Sequence, residues 1–163
     1  MTTKAVLPNP LAIAIVKKLK RNGLTMCVAE SITGGLLAGA ITDVSGSSAV
    51  FFGGIITYSD DSKRSFLDIP KRILTKHTAV SEAVAIAMAE SVRAQFDTDF
   101  AISTTGVAGP GKAYDQKAGT VWIAIASDLP TTTVQLALSG DRHLIRHASV
   151  ESALATFARI LLP

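Results

Sequence analysis

The chain predicts an α/β fold: a single-domain mixed sheet flanked by helices on both faces, in three layers. Three observations carry this. Short, almost wholly apolar runs such as Leu24-Thr25-Met26-Cys27-Val28-Ala29 and Phe100-Ala101-Ile102-Ser103 have the composition of strands buried on both faces. Segments with apolar residues at helical spacing lie between them. Near the carboxyl end, two strand-like runs are separated only by Ser127-Asp128-Leu129-Pro130, close enough for an antiparallel hairpin, so the sheet mixes crossovers with a meander.

The elements follow in order. Leu11, Ala14, Ile15 and Leu19 make the stripe of a first helix, which ends in Lys17-Lys18 and Lys20-Arg21, cations suited to a helix carboxyl terminus and to solvent. The strand 24–29 runs into Glu30-Ser31-Ile32-Thr33-Gly34-Gly35, and a helix over 36–41 follows. Gly46-Ser47-Ser48 leads into a β-rich run, 49–58, whose Gly53-Gly54 break predicts a bulge or a close contact. Polar residues 59–63 end that run, and two short helical turns are expected around Ile69-Pro70. Ser81-Glu82 offers a cap and a first-turn acid for a helix to about Phe96, with Val84, Met88 and Val92 inward. The strand at 100–103 opens into a glycine- and proline-containing loop, 104–111. Strands at 119–126 and 132–138 precede a long last helix capped by Asp141, whose inner stripe is Val150, Leu154, Phe157, Ala158 and Leu161.

Composition excludes several classes of protein. With 163 residues, 48% of them hydrophobic and 18% charged, the chain suits one domain over 1–163 with a substantial core. Its apolar stretches fall short of the ~18 residues a membrane span needs, and its start lacks a signal-peptide block, so a soluble cytoplasmic protein is expected. A single cysteine, Cys27, rules out an internal disulfide and sits where cysteine acts as a small hydrophobe. The formal charge of +3 is scattered, and two Tyr and one Trp give little stacking surface, which argues against nucleic acid and allows an anionic small molecule.

Parallel α/β sheets bind ligands beyond the carboxyl ends of their strands. Ser31, the segment 58–63 and the loop 105–111 all follow strands and so are expected to share one edge. Ser and Thr before a helix are ordinarily N-caps, but one cap suffices: Thr33 can serve while Ser31 stays free to react. A serine needs a base. His77, His143 and His147 fit that role poorly; the last two are four apart on a helix but lack the glutamate of a zinc-protease motif. Lys63 is the alternative, provided that burial or a nearby cation keeps its amine neutral; its plain reading is a solvated lysine beside Asp60 and Asp61.

Taken in order, Ala29-Glu30-Ser31-x-Thr33-Gly34-Gly35, Gly46-Ser47-Ser48, Gly54 with Tyr58-Ser59 and Lys63, Ala79-Val80-Ser81, Thr105-Gly106-x-Ala108-Gly109-Pro110, Gly119-Thr120-Val121-Trp122 and Gly140-Asp141-Arg142 resemble the CinA carboxyl-terminal domain family over nearly the whole chain. The resemblance implies metal-free and cofactor-free amide hydrolysis, as in members that convert nicotinamide mononucleotide to nicotinate mononucleotide and ammonia in pyridine-nucleotide recycling. Carried over by motif, Ser31 is the nucleophile, Lys63 its base and Tyr58 an aid in holding or relaying the proton. N–H groups of Thr33, Gly34 and Gly35, with the Ser48 hydroxyl, are the oxyanion donors; Thr105 and Gly106 are placed on the ribose or ring, and Arg142 on the phosphate. Relatives also imply a homodimer or larger assembly. The chain differs from the family pattern at Asp60, often Asn, and in Gln116-Lys117-Ala118-Gly119, often Lys-Pro-Val-Gly. A nucleotide-binding or regulatory paralogue without efficient turnover is the second reading, and a nucleic-acid-associated protein the third.

Overall fold

The computed structural model describes residues 7–162. Its elements run α1 (Pro10–Asn22), β1 (Met26–Glu30), α2 (Leu36–Thr42), a 3-10 turn (Ser47–Ala49), β2 (Phe51–Ile56), α3 (Asp60–Leu67), α4 (Lys71–His77), α5 (Glu82–Phe96), β3 (Phe100–Gly106), β4 (Thr120–Ala126), β5 (Thr132–Ala137) and α6 (Arg142–Leu161). The sheet order is β2-β1-β3-β4-β5. β1 is parallel to both of its neighbours, and β4 and β5 complete the sheet antiparallel. The mixed three-layer α/β/α architecture is therefore the one the sequence predicts.

Strand alternation makes the two faces unlike. Met26, Val28, Ile102, Ile123 and Ile125 join the core formed with Ile15 and Leu19 of α1 and Leu154 and Phe157 of α6. The intervening residues Cys27, Ala29, Ala101, Ala124 and Ala126 pack instead with Val84, Ala85, Met88 and Ala89 of α5. Branched side chains fill one layer; small ones let α5 lie close in the other. The Ser103 hydroxyl donates to the Ala85 carbonyl at 2.6 Å, a contact that a larger side chain would forbid. Close seating of α5 fixes the preceding residues 79–80 beside the end of β3.

Local signals act as expected at most helix starts. Asn9 accepts from Leu11 and Ala12 at α1, Ser81 from Val84 at α5, and Asp141 from Leu144 at α6. The buried stripe of α1 is Ala12, Ile15, Val16 and Leu19, rotated from the predicted set because Leu11 and Ala14 lie at its margin. The glycine break in β2 is a bulge: Met26 faces Phe51 and Cys27 faces Gly53, leaving Phe52 unpaired. Two complete helices, α3 and α4, replace the two turns expected around Ile69-Pro70, and α3 absorbs the polar stretch read as a strand ending.

Two glycines make opposite predictions. Gly119 has φ +90°, and a Cβ there would lie 1.8 Å from the Leu138 carbonyl oxygen, inside the turn that starts β4. Gly119→Ala should lower unfolding free energy by about 3 kcal/mol or more in urea titrations. Gly39, inside α2 with nothing within 4 Å of a built Cβ, should gain about 0.5–1 kcal/mol as Gly39→Ala.

Candidate active site

The site begins where β1 ends. Glu30 is fully buried, and its carboxylate accepts from the N–H groups of Gly35 at 2.9 Å, Leu37 at 3.1 Å and Ala38 at 2.8 Å. It therefore caps α2 from inside the protein, where a negative charge meets the positive end of the helix. Thr33 does not cap; its hydroxyl is buried against that of Thr104 at 2.7 Å. Gly34 and Gly35, at φ +57° and +97°, turn the chain between these anchors. Arg146 completes the hold, donating through Nε to the Ile32 carbonyl at 3.1 Å and through its terminal nitrogen to that of Thr33 at 2.8 Å.

Ser31 lies in this braced turn, its N–H bonded to the Thr104 carbonyl at 2.9 Å and the residue as a whole 8% exposed. Lys63 reaches it from α3. That helix forms because Ser59 and Ser62 make a reciprocal capping box and Asp60 and Asp61 occupy its first turn. Lys63 Nζ donates to Ser31 Oγ at 3.1 Å and to the Thr57 carbonyl at 2.8 Å. Only 1% of the lysine is exposed, and among the described residues no carboxylate forms an ion pair with it. Burial lowers its pKa from 10.5 to about 8 against a smaller opposing pull from Asp60. Asp60 is instead engaged by the Tyr114 hydroxyl at 3.0 Å.

Ser31 and Lys63 lie in a cleft with Tyr58, Thr105, Gly106 and Arg142, so six sequence-predicted residues share one site. Their contacts refine the expectations. Tyr58 is 55% exposed, and its hydroxyl is bound by Arg142, so it is not in the Lys63–Ser31 hydrogen-bond chain. The Thr105 hydroxyl donates to the Ala79 carbonyl at 2.7 Å. Arg142 also donates to the Gly109 carbonyl at 2.9 Å and, among the described residues, pairs with no acid. Thr33, Gly34 and Gly35 do not line the cleft, and the Gly35 N–H is already taken by Glu30. Ser48 is an outright correction. It is exposed in the turn before β2, at the amino end of the parallel strands, because β2 enters the sheet beside the start of β1.

Among the described residues the N–H groups of Ile32, Thr33 and Gly34 make no hydrogen bond, which leaves uncommitted donors in the turn that carries Ser31. Cys27 is buried, and its thiol is pushed up to about 11 by that burial, a poor state for a nucleophile. Sequence reasoning missed the supporting set: Glu30 as cap, Thr104, the Thr57 carbonyl and Arg146. The four-residue spacing of Arg142 and Arg146 on one helix face was the available signal for the last.

A three-layer α/β domain with a buried lysine on a serine, at the carboxyl edge of its parallel strands, is the class of protein these features define. The chain belongs to the CinA C-terminal domain family, whose model matches residues 8–161. It is 45% identical over 149 residues to a competence-damage inducible protein of Thermoanaerobacter sp. (strain X514), covering 91% of this chain and 36% of that one. It is 41% identical over 153 residues to the protein of that name from Streptococcus pneumoniae (strain Hungary19A-6), covering 93% and 37%. The chain thus spans little more than a third of these curated relatives. Among solved structures, competence/damage inducible protein CihA of Agrobacterium tumefaciens superposes with a TM-score of 0.90 at 34% identity, covering 96% of this chain and 98% of that one. The competence damage-inducible protein A of Klebsiella pneumoniae gives 0.89 at 34%, covering 91% and 93%.

Two stability measurements check the electrostatics. Glu30→Gln keeps the size but turns an amide N–H₂ toward main-chain donors, and should cost about 2–3 kcal/mol. Between pH 8 and 10.5 the unfolded chain retains a proton that folded Lys63 has released, so the fold gains stability as pH rises through that window. Relative to Lys63→Met, which has no such group, the wild type should gain about 3 kcal/mol across it, measured by denaturation at the two ends.

Proposed function

We propose that this domain hydrolyses the carboxamide of nicotinamide mononucleotide to nicotinate mononucleotide and ammonia, in pyridine-nucleotide recycling, with Ser31 as nucleophile and Lys63 as base. The observation that carries the reading is the 3.1 Å contact between a buried Lys63 amine and Ser31 Oγ, with the other lysine hydrogen bond on a neutral carbonyl. A lysine with a pKa near 8 is neutral in roughly a tenth of molecules at pH 7, far more than a solvated one. In that form its lone pair accepts the Ser31 proton.

The steps then balance. Ser31 Oγ bonds to the carboxamide carbon, its proton passes to Lys63 Nζ, and the carbonyl oxygen takes the negative charge. Of the uncommitted N–H groups of Ile32, Thr33 and Gly34, that of Ile32, the one of these three residues that lines the cleft, is the donor proposed for that oxygen; losing one such donor commonly raises the barrier by about 3–4 kcal/mol. Lys63 returns the proton to the nitrogen as the C–N bond breaks and ammonia leaves. Water, deprotonated by the same amine, opens the acyl-serine to the carboxylate product and restores the hydroxyl. Arg142, whose guanidinium faces the cleft without a carboxylate partner, is the proposed phosphate ligand. Tyr58 holds that arginine through its hydroxyl, a positioning role in place of the expected proton relay.

Incubation with the mononucleotide should release ammonia, and Ser31→Ala should abolish release while leaving the fold intact by circular dichroism. Release undiminished in that variant would remove Ser31 as nucleophile. The rate should climb with pH and level off above about 8, following loss of the Lys63 proton. Because the Asp60 carboxylate favours the charged amine, Asp60→Asn should move that rise to lower pH.

A further inference from the structure

One wall of the cleft is built by a loop with few ties to the rest of the molecule. Residues 109–114 all line the cleft, and the loop closes on itself at its tip: Ala113 and Gln116 exchange N–H···O bonds of 3.1 and 2.9 Å. The two residues between them, Tyr114 and Asp115, have φ of +53° and +59°. A two-residue turn with both central φ values positive favours Asn-Gly or Gly-Gly, since a side chain there crowds the main chain. Tyr-Asp is a costly choice, and strain of this kind is a reason to ask what the side chains do.

Tyr114 lies 43% exposed at the cleft, and its hydroxyl donates to Asp60 Oδ1 on the first turn of α3, the helix that carries Lys63. On the other side, Arg142 of α6 donates to the Gly109 carbonyl. Among the described residues these two side-chain bonds are the loop's ties across the cleft, and Lys112 lies between them in the cleft wall. The Asp60 carboxylate has no other hydrogen bond among the described residues, so it is available as a fixed acceptor on a rigid helix.

We propose that Tyr114 and Asp60 are positioning residues: their hydrogen bond straps the 109–114 loop across the cleft and so seats Lys112 as a second cation, with Arg142, for an anionic ligand. The seating of the loop stands on its own; the identity of the anion as a nucleotide phosphate rests on the proposed function. The strap also gives Asp60 a structural duty, as acceptor for the loop, separate from its electrostatic pull on Lys63.

Hydrogen exchange on the unliganded full chain tests the strap directly. In Tyr114→Phe and in Asp60→Ala, the Ala113 and Gln116 amides should exchange about three- to tenfold faster than in the wild type, the effect of losing one ordinary hydrogen bond. Asp60→Asn, which keeps an acceptor oxygen, should exchange as the wild type does. The double variant Tyr114→Phe/Asp60→Ala should be no faster than either single one. Unchanged exchange in both single variants overturns the strap. With nicotinamide mononucleotide as probe at a pH on the plateau, about 9.5, where Lys63 is neutral with or without the Asp60 charge, Tyr114→Phe, Asp60→Ala and Lys112→Met should each raise KM about three- to tenfold with kcat near the wild-type value. An unaltered KM in all three overturns the seating of Lys112. A wild type that releases no ammonia would count against the amidase reading, and the exchange result would still decide the strap.

Discussion

Removing the Lys63 amine from water is the constraint around which the site is arranged. A charged ammonium in that position lacks a carboxylate partner, so burial shifts its equilibrium toward the uncharged form and enlarges the share of amine able to accept a proton near neutral pH. The arrangement needs a rigid frame because an amine this poorly solvated would otherwise move toward solvent. The frame is local: the Thr57 carbonyl orients the nitrogen, the capping box of α3 fixes the stem, and Leu67, one turn further along, anchors the helix in the α5 core.

The serine is held by a separate set of contacts, and the two sets meet only at the Oγ–Nζ contact. Glu30 and Ser31 are neighbours with opposite duties. One carboxylate satisfies the first N–H groups of α2, which keeps the helix start from competing for a ligand's charge; the next side chain faces the cleft. Arg146 reaches from α6 to two carbonyls of the same turn, tying the position of Ser31 to the packing of the last helix. A turn with two left-handed glycines would be mobile without such bracing.

Much of this was legible from composition and spacing. Apolar runs located the strands, Ser81 and Asp141 announced two helix starts, and the position of Ser31, Lys63 and the 105–111 loop after successive strands placed them at one edge. What resisted reading was set by contacts between residues distant in sequence. Ser59 to Lys63 looked like a polar strand ending because Ser and Asp carry weak helical preference; the capping box and burial of Lys63 and Leu67 overrode it. Thr33 looked like a cap because a glutamate five residues before the N–H it serves is not a pattern that local rules include. Ser48 carried a family expectation, yet the register of β2 against β1 puts it at the wrong end of the strands. Lys63 has the plain reading of a solvated lysine beside Asp60 and Asp61, whereas it is buried and the Asp60 carboxylate is bound by a tyrosine 54 positions away.

The alanine- and serine-lined sheet face under α5 has a consequence for how this domain can diversify. Ala101, Ser103 and Ala124 leave no slack beneath the helix, so enlarging any of them would lever α5 outward and carry the 79–80 segment with it. The floor of the cleft is thereby closed to gradual remodelling. New ligand preferences are expected instead in the 109–114 segment, which lines the cleft and belongs to neither packed core.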